Sequence, residues 1–216
     1  MATYYCSGQN GNDSNNGTTV ALARKTIDSA LSLLSAGDTL YIGPATYREQ
    51  FADADFTAGS GEGSETQIIG DPDGNIFTND LPGLVRITTK DVNEKSTQGG
   101  IVITCNKNHI HFHKLYLEGS GATGLSTSGN ASSYYSRVIY AYTTTDVSNQ
   151  IYFDCHIVGA HLGIQGRGNT YLDDSCPTCV RCLFINSGTY ASFVNTIHCV
   201  GIGARTGFSY GNHHGS

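Results

Sequence analysis

From residue 38 onward the apolar positions fall in short alternating runs. Leu40, Ile42 and Tyr47 come first, separated by polar or small residues. Gln67-Ile68-Ile69, Leu84-Val85-Arg86-Ile87, Ile101-Val102-Ile103, Ile110-His111-Phe112 and Leu115-Tyr116-Leu117 follow. Later runs are Arg137-Val138-Ile139-Tyr140, Ile151-Tyr152-Phe153, Val180-Arg181-Cys182 and Thr196-Ile197-His198-Cys199. Gly, Asn, Asp and Ser separate them, so they read as short strands between turns. One stretch has a helical period instead. After Thr26 as N-cap, Ile27, Ala30, Leu31 and Leu34 recur at i, i+3, i+4 and i+7, and Gly37 is a natural stop. The spacing predicts a helix over 27–36 with a single apolar stripe, which must lie on an apolar surface.

The second half repeats itself. IYFDCHIVGAHLGI (151–164) aligns with VRCLFINSG (180–188) and IHCVGIGARTGF (197–208), which puts Cys155, Cys182 and Cys199 at equivalent places. IHFHKLYLEGSGATGL (110–125) is a looser copy. Short strands, glycine turns and a drifting period predict a solenoid whose coils must stack to bury their apolar faces. The inner ladders are expected to be Ile, Val, Leu, Phe and Cys, with Ile151 and Phe153 among them.

Composition narrows the reading. The 216 residues suffice for one sizeable core, and only 14% are charged, with 12 Lys+Arg against 18 Asp+Glu. An acidic chain so poor in cations excludes a nucleic-acid binder. A helical bundle needs more Ala, Glu, Lys and Leu. With 38% hydrophobic residues the chain can build a core. No apolar run reaches the ~18 residues of a membrane span, so no membrane partner is expected. The N-terminus lacks the basic and apolar regions of a signal peptide, which predicts either a mature form or a chain that does not use the secretory route. The seven cysteines, an odd set, read mostly as buried thiols.

The opening TYYCSGQNGNDSNNGTTVALARKTIDSALSLLSAGDTLYIGPATYREQ resembles the start of right-handed parallel β-helix proteins of the pectate-lyase-like superfamily. TQIIGDPDG and PGLVRIT resemble the second and third coils. Cys6 departs from the pattern, which usually has an apolar residue there. The resemblance implies an all-β fold: a right-handed single-stranded parallel β-helix of about seven to nine coils, ~40 Å tall, with an N-terminal capping α-helix. The expected layout is one domain over 1–216, with strand and loop over 1–25, capping helix over 26–37 and coils over 38–216. Similarity to short phage versions of the family implies a phage virion structural protein, as a capsid decoration or a spike or fibre component. It would be a homotrimer bound to major capsid or tail proteins, assembled in the host cytoplasm and located in the virion, with a host-surface glycan as a further partner. It implies no cofactor. The alternative is an extracellular polysaccharide lyase or carbohydrate-binding β-helix acting on acidic polysaccharide.

A lyase needs a Lys or Arg base, and a cation held by acids on the same face. Lys114, Arg137, Arg167, Arg181 and Arg205 are the available bases. Glu118, Asp146, Asp154, Asp173 and Asp174 are the acids, and no Arg sits with two acids at repeat spacing. The sequence therefore assigns no catalytic residue. His109, His111 and His113 alternate with Ile110 and Phe112, so in a strand all three imidazoles share one side, as a contact surface or a metal site. Cys176 and Cys179 have zinc-knuckle spacing but lack a second pair, and read first as a turn. Asp71 to Asn75 reads as a turn too. Tyr134, Tyr135, Tyr140 and Tyr142 cluster in one segment and are the other candidate contact surface.

Overall fold

The computed structural model describes residues 1–93, 101–119, 137–141, 147–159, 162–166, 176–185, 189–192, 194–203, 206–209 and 213–214. β1 (Thr3–Cys6) is followed by α1 (Ile27–Leu31), then β2 (Thr39–Ile42) and β3 (Ala45–Tyr47). From there the chain makes turns of three strands each. The first two are β4 (Thr66–Gly70), β5 (Val85–Thr88) and β6 (Ile103–Thr104), then β7 (Ile110–His113), β8 (Tyr116–Glu118) and β9 (Arg137–Tyr140). Next come β10 (Gln150–Phe153), β11 (His156–Val158) and β12 (Leu162–Gln165), then β13 (Thr178–Val180), β14 (Leu183–Ile185) and β15 (Thr189–Ser192). The last full turn is β16 (Asn195–Ile197), β17 (Val200–Ile202) and β18 (Thr206–Ser209), and β19 (His213–His214) starts another.

Three parallel sheets result. The first runs β1-β2-β4-β7-β10-β13-β16-β19, the second β3-β5-β8-β11-β14-β17 and the third β6-β9-β12-β15-β18. Each strand therefore pairs with its equivalents one turn before and one turn after, which is a parallel β-helix. Eight layers at about 4.8 Å give the first sheet a height of roughly 34 Å.

Alternation decides what is inside. Leu40, Ile68, Phe112, Tyr152 and Cys179 stand in register along the inner side of the first sheet, each at most 2% exposed. The expected inward placement of Ile151 and Phe153 is corrected here. Both are half-buried and point outward, and Tyr152 between them is the core residue. All three are apolar, so the pattern alone does not say which face is buried.

The corner between the first and second sheets is also built in register. Lys114, Asp154, Arg181 and His198 each follow a first-sheet strand and each has φ between 50° and 53°. A buried Leu115, Cys155, Cys182 or Cys199 comes next and turns the chain inward. The two expected strands that ran through Arg181 and His198 are therefore each broken at this corner. Left-handed backbone costs about 1 kcal/mol or more at such residues, and the stacked layers hold it. The equivalence of Cys155, Cys182 and Cys199 holds, since the residues after them pair as His156–Leu183–Val200.

α1 packs against β1 and β2 and buries Ile27, Ala30 and Leu31. Thr26 caps it, its Oγ1 accepting from Ser29 N at 3.2 Å. The helix is shorter than its spacing predicts and ends at Leu31. Ser32 Oγ donates to Ser29 O at 2.7 Å, and Leu34 N bonds Leu31 O, so the last turn tightens and the helix stops. Gly37, at φ 83°, then turns the chain into β2. No helix among the described residues is long and apolar enough to cross a membrane.

Candidate functional site

The outer side of the first sheet carries two rows of side chains in register. One row is Tyr5, Tyr41, Ile69, His113, Phe153, Val180 and Ile197. The other, two residues earlier on each strand, is Thr3, Thr39, Gln67, His111, Ile151, Thr178 and Asn195. The first row is aromatic and aliphatic, and the second is hydroxyl, amide and imidazole apart from Ile151. All but the exposed Thr3 are half-buried, and none of the fourteen positions is Lys, Arg, Asp or Glu.

Within the apolar row Tyr5 stacks on Tyr41, with centroids 6.0 Å apart and planes at 22°. His113 stacks on Phe153 at 4.8 Å and 12°. Burial pushes the His113 imidazole down to about 4, with the neighbouring His111 adding to the shift, so it is neutral at pH 7.

The polar row is wired by amides. His113 Nε2 donates to Gln67 Oε1 at 2.9 Å, and Gln67 Nε2 donates to His111 Nδ1 at 3.2 Å. His111 Nε2 donates to Asn149 Oδ1 at 3.1 Å. Asn149 Nδ2 then donates to Glu65 Oε1 at 3.1 Å and contacts His109 Nδ1 at 3.3 Å. With the amides so oriented, both strand imidazoles carry their proton on Nε2. Glu65 sits at the rim. Its carboxyl is held below the usual range by the backbone amides of Gly63 and Glu65 itself, with smaller help from His111 and Asn149.

Of the three histidines singled out in the sequence, His111 and His113 share the outer side of β7. His109 lies before β7 rather than in it, at φ 52°, and its carbonyl accepts from Gly59 N and Thr66 N. The side chains meet through Gln67 and Asn149 rather than around a common point. No group of three His, Cys, Asp or Glu among the described residues can hold a metal ion. Cys179 lies in the buried inner ladder while Cys176 is half-buried, and all seven cysteines are thiols. Cys182 Sγ and Cys199 Sγ donate to the Tyr152 and Cys179 carbonyls at 3.3 and 3.4 Å. Hydrogen bonding with Cys182 and burial both push the Cys179 thiol up. Cys179, Cys182 and Cys199 are packed thiols in the interior of the solenoid.

Tyr140 is half-buried on β9 in the third sheet, on a different side of the solenoid from the histidines. Tyr134, Tyr135 and Tyr142 lie outside the described residues. So do Arg167, Arg205, Asp146, Asp173 and Asp174.

Charge collects at the edges of the face. At the corner Arg181 grips Asp154 with two 2.7 Å bonds, which hold the Asp154 carboxyl below its usual range. Lys114 faces Asp73 at 3.8 Å. On the second sheet Glu118 is buried and bound by Arg86, Nε to Oε2 at 2.7 Å, and by Lys90. Asp154 and Glu118 are each held by cations, and Asp73 faces Lys114 across an exposed gap, so none of these described groups combines a free base with an open cation site.

No family model matches the chain, and no curated protein matches it. Solved structures do. The chain is similar to GH136 lacto-N-biosidase from Eubacterium ramulus, with TM-score 0.57 and 11% identity over 90% of this chain and 36% of that one. It is similar to a rhamnogalacturonan lyase, with TM-score 0.55 and 15% identity over 99% of this chain and 62% of that one. It is similar to pectate lyase Pel9A, with TM-score 0.52 and 13% identity over 94% of this chain and 47% of that one. The chain thus spans between about a third and just under two thirds of the length of these structures. The likenesses agree with the sheet topology: the fold is a parallel β-helix similar to that of pectate lyase Pel9A.

Proposed function

We propose that this chain is a carbohydrate-binding β-helix with its binding surface on the outer side of the first sheet. The observation that carries the reading is the pair of rows, one apolar and one polar, running side by side along the solenoid. A sugar chain is amphipathic in the same way, with C–H faces and a rim of hydroxyls. Its C–H faces fit against Tyr41, Ile69 and Phe153, and its hydroxyls reach the amide of Gln67 and the hydroxyls of Thr39 and Thr178. A pyranose repeat of roughly 5 Å matches the about 4.8 Å between successive strands, so successive sugars meet successive layers. The structural neighbours, a lacto-N-biosidase, a pectate lyase and a rhamnogalacturonan lyase, lend support from proteins of the same fold. In this reading the solenoid is right-handed and α1 acts as its N-terminal cap, covering a sheet end that would otherwise be an open edge.

A virion role and a homotrimer remain proposals that rest on the resemblance of the opening segment. A host-surface glycan would be the natural ligand of this face in that setting. The test is binding of the purified chain to an array of immobilised polysaccharides. Retention of at least one glycan is expected, reduced about tenfold by Phe153→Ala or Tyr41→Ala, both of which keep the inner ladder intact. Retention that neither substitution lowers would move the site elsewhere.

A further inference from the structure

The charge on this face specifies the glycan further, and this inference rests on the carbohydrate-binding reading above. We infer that the outer face of the first sheet takes a neutral glycan rather than the acidic polysaccharide expected from the resemblance. The fourteen outward positions from β1 to β16 hold no Lys, Arg, Asp or Glu.

The flanking charges do not change this. Along the corner, Lys114 and Arg181 stand against Asp73 and Asp154, two of each sign and paired with one another. On the opposite rim Glu65 is an anion facing Asn149. A polyuronate carries one carboxylate per sugar. Laid along these rows, each carboxylate would lose water over Ile69, Phe153 or Val180 and gain no cation, and the rim would present Glu65 to it. No cluster among the described residues offers a bridging metal either. A neutral chain pays none of this. Its hydroxyls donate and accept, and so do the groups in the polar row. Gln67 is held by His111 and His113 on both sides of its amide, so it meets a ligand already oriented.

The test is isothermal titration of the purified chain with neutral gluco-, xylo-, manno- and galacto-hexasaccharides, and with hexagalacturonate, at about 0.05 and about 0.5 M NaCl. At least one neutral hexasaccharide should bind, with an affinity that changes less than about twofold between the two salts. Hexagalacturonate should bind at least about tenfold more weakly. Phe153→Ala should weaken neutral binding about tenfold with its circular dichroism unchanged. A second variant, Thr178→Lys, puts one cation into the polar row and should raise hexagalacturonate affinity in a salt-sensitive way.

Tight, salt-sensitive binding of hexagalacturonate to the unmodified chain would overturn the neutral assignment and leave the carbohydrate reading standing. No binding of any probe would overturn both. So would a stable dimer that sheds no copy when sugar is added, since the face would then be covered by a second copy. Neutral binding that survives both Phe153→Ala and Tyr41→Ala would show that the rows are not the site.

Discussion

Neighbouring residues of β7 and β10 build the same device on opposite sides of the first sheet. Inside, Phe112 stacks on Tyr152 with centroids 4.8 Å apart and planes at 6°. Outside, His113 stacks on Phe153 at 4.8 Å and 12°. The strand register fixes both, since in-register parallel strands hold like positions one layer apart. What differs is the environment. Phe112 and Tyr152 are fully buried, and Phe56 closes on Phe112 edge-on at 5.6 Å. His113 and Phe153 are half-exposed and border a row of polar groups. The same stacking geometry therefore serves stability where it is dry, and is open to a ligand where it is wet.

Truncation should separate the two sides most sharply. Tyr152→Ala removes a fully buried ring from a stacked ladder and should cost about 3–5 kcal/mol. Urea denaturation measures it. A loss below about 1 kcal/mol would mean that the inner ladder is not the core of this solenoid. Phe153→Ala, one residue away, should cost only about 1 kcal/mol, because the ring already meets solvent. Its larger effect should be on glycan binding.

The outer stack should also be the pH-sensitive one. The folded His113 titrates near 4, below the ordinary 6.5, so between those values the unfolded chain binds more protons. Stability is then complete above pH 6.5 and falls as the pH drops toward 4. The expected loss is roughly 1–2 kcal/mol once partial exposure is allowed for. The facing groups are His111, the Asp154 carboxylate and Lys114, of which only Asp154 opposes the shift. Glu49, raised by burial, contributes with the opposite sign, so the useful quantity is the difference from a His113→Phe variant. From pH 7 to pH 4.5 the denaturation midpoint of the parent should fall relative to that of the variant. Parallel curves would show that His113 does not titrate in this window.

The sequence made some of this readable. Ile110 and Phe112 alternate with histidines, so the solvent side of β7 is unambiguous. The repeat of Cys155, Cys182 and Cys199 records the corner that the stacked layers share. The β10 run Ile151-Tyr152-Phe153 has no polar residue to mark its outer side, and the buried member proved to be the one with a hydroxyl. The link from Gln67 to His111 and His113, and on to Asn149, was out of reach for another reason. Its members lie about 40 residues apart in sequence, and only the strand register brings them to hydrogen-bonding distance. The early end of α1 depends on a local bond, from Ser32 to the Ser29 carbonyl, that helical spacing does not register.

The smallest effect is expected at the corner, where geometry would suggest a large one. Arg181 makes two 2.7 Å bonds to Asp154, a bidentate pair bordering the site. Their side chains are 58% and 38% exposed, so water screens the attraction and holding two side chains in place offsets much of the gain. Arg181→Gly removes the charge pair and also relaxes the left-handed backbone, where φ is 50°. Arg181→Asn separates the two effects, since Asn tolerates that backbone but cannot pair bidentately with Asp154. Both variants should unfold within about 1 kcal/mol of the parent at moderate salt, with Arg181→Gly the more stable of the two because it also relieves the left-handed backbone. Neutral-glycan affinity should be unchanged in both, because the pair stands at the edge of the face and not on it. A marked loss of affinity in Arg181→Asn would extend the binding surface around the corner and bring charge back into recognition.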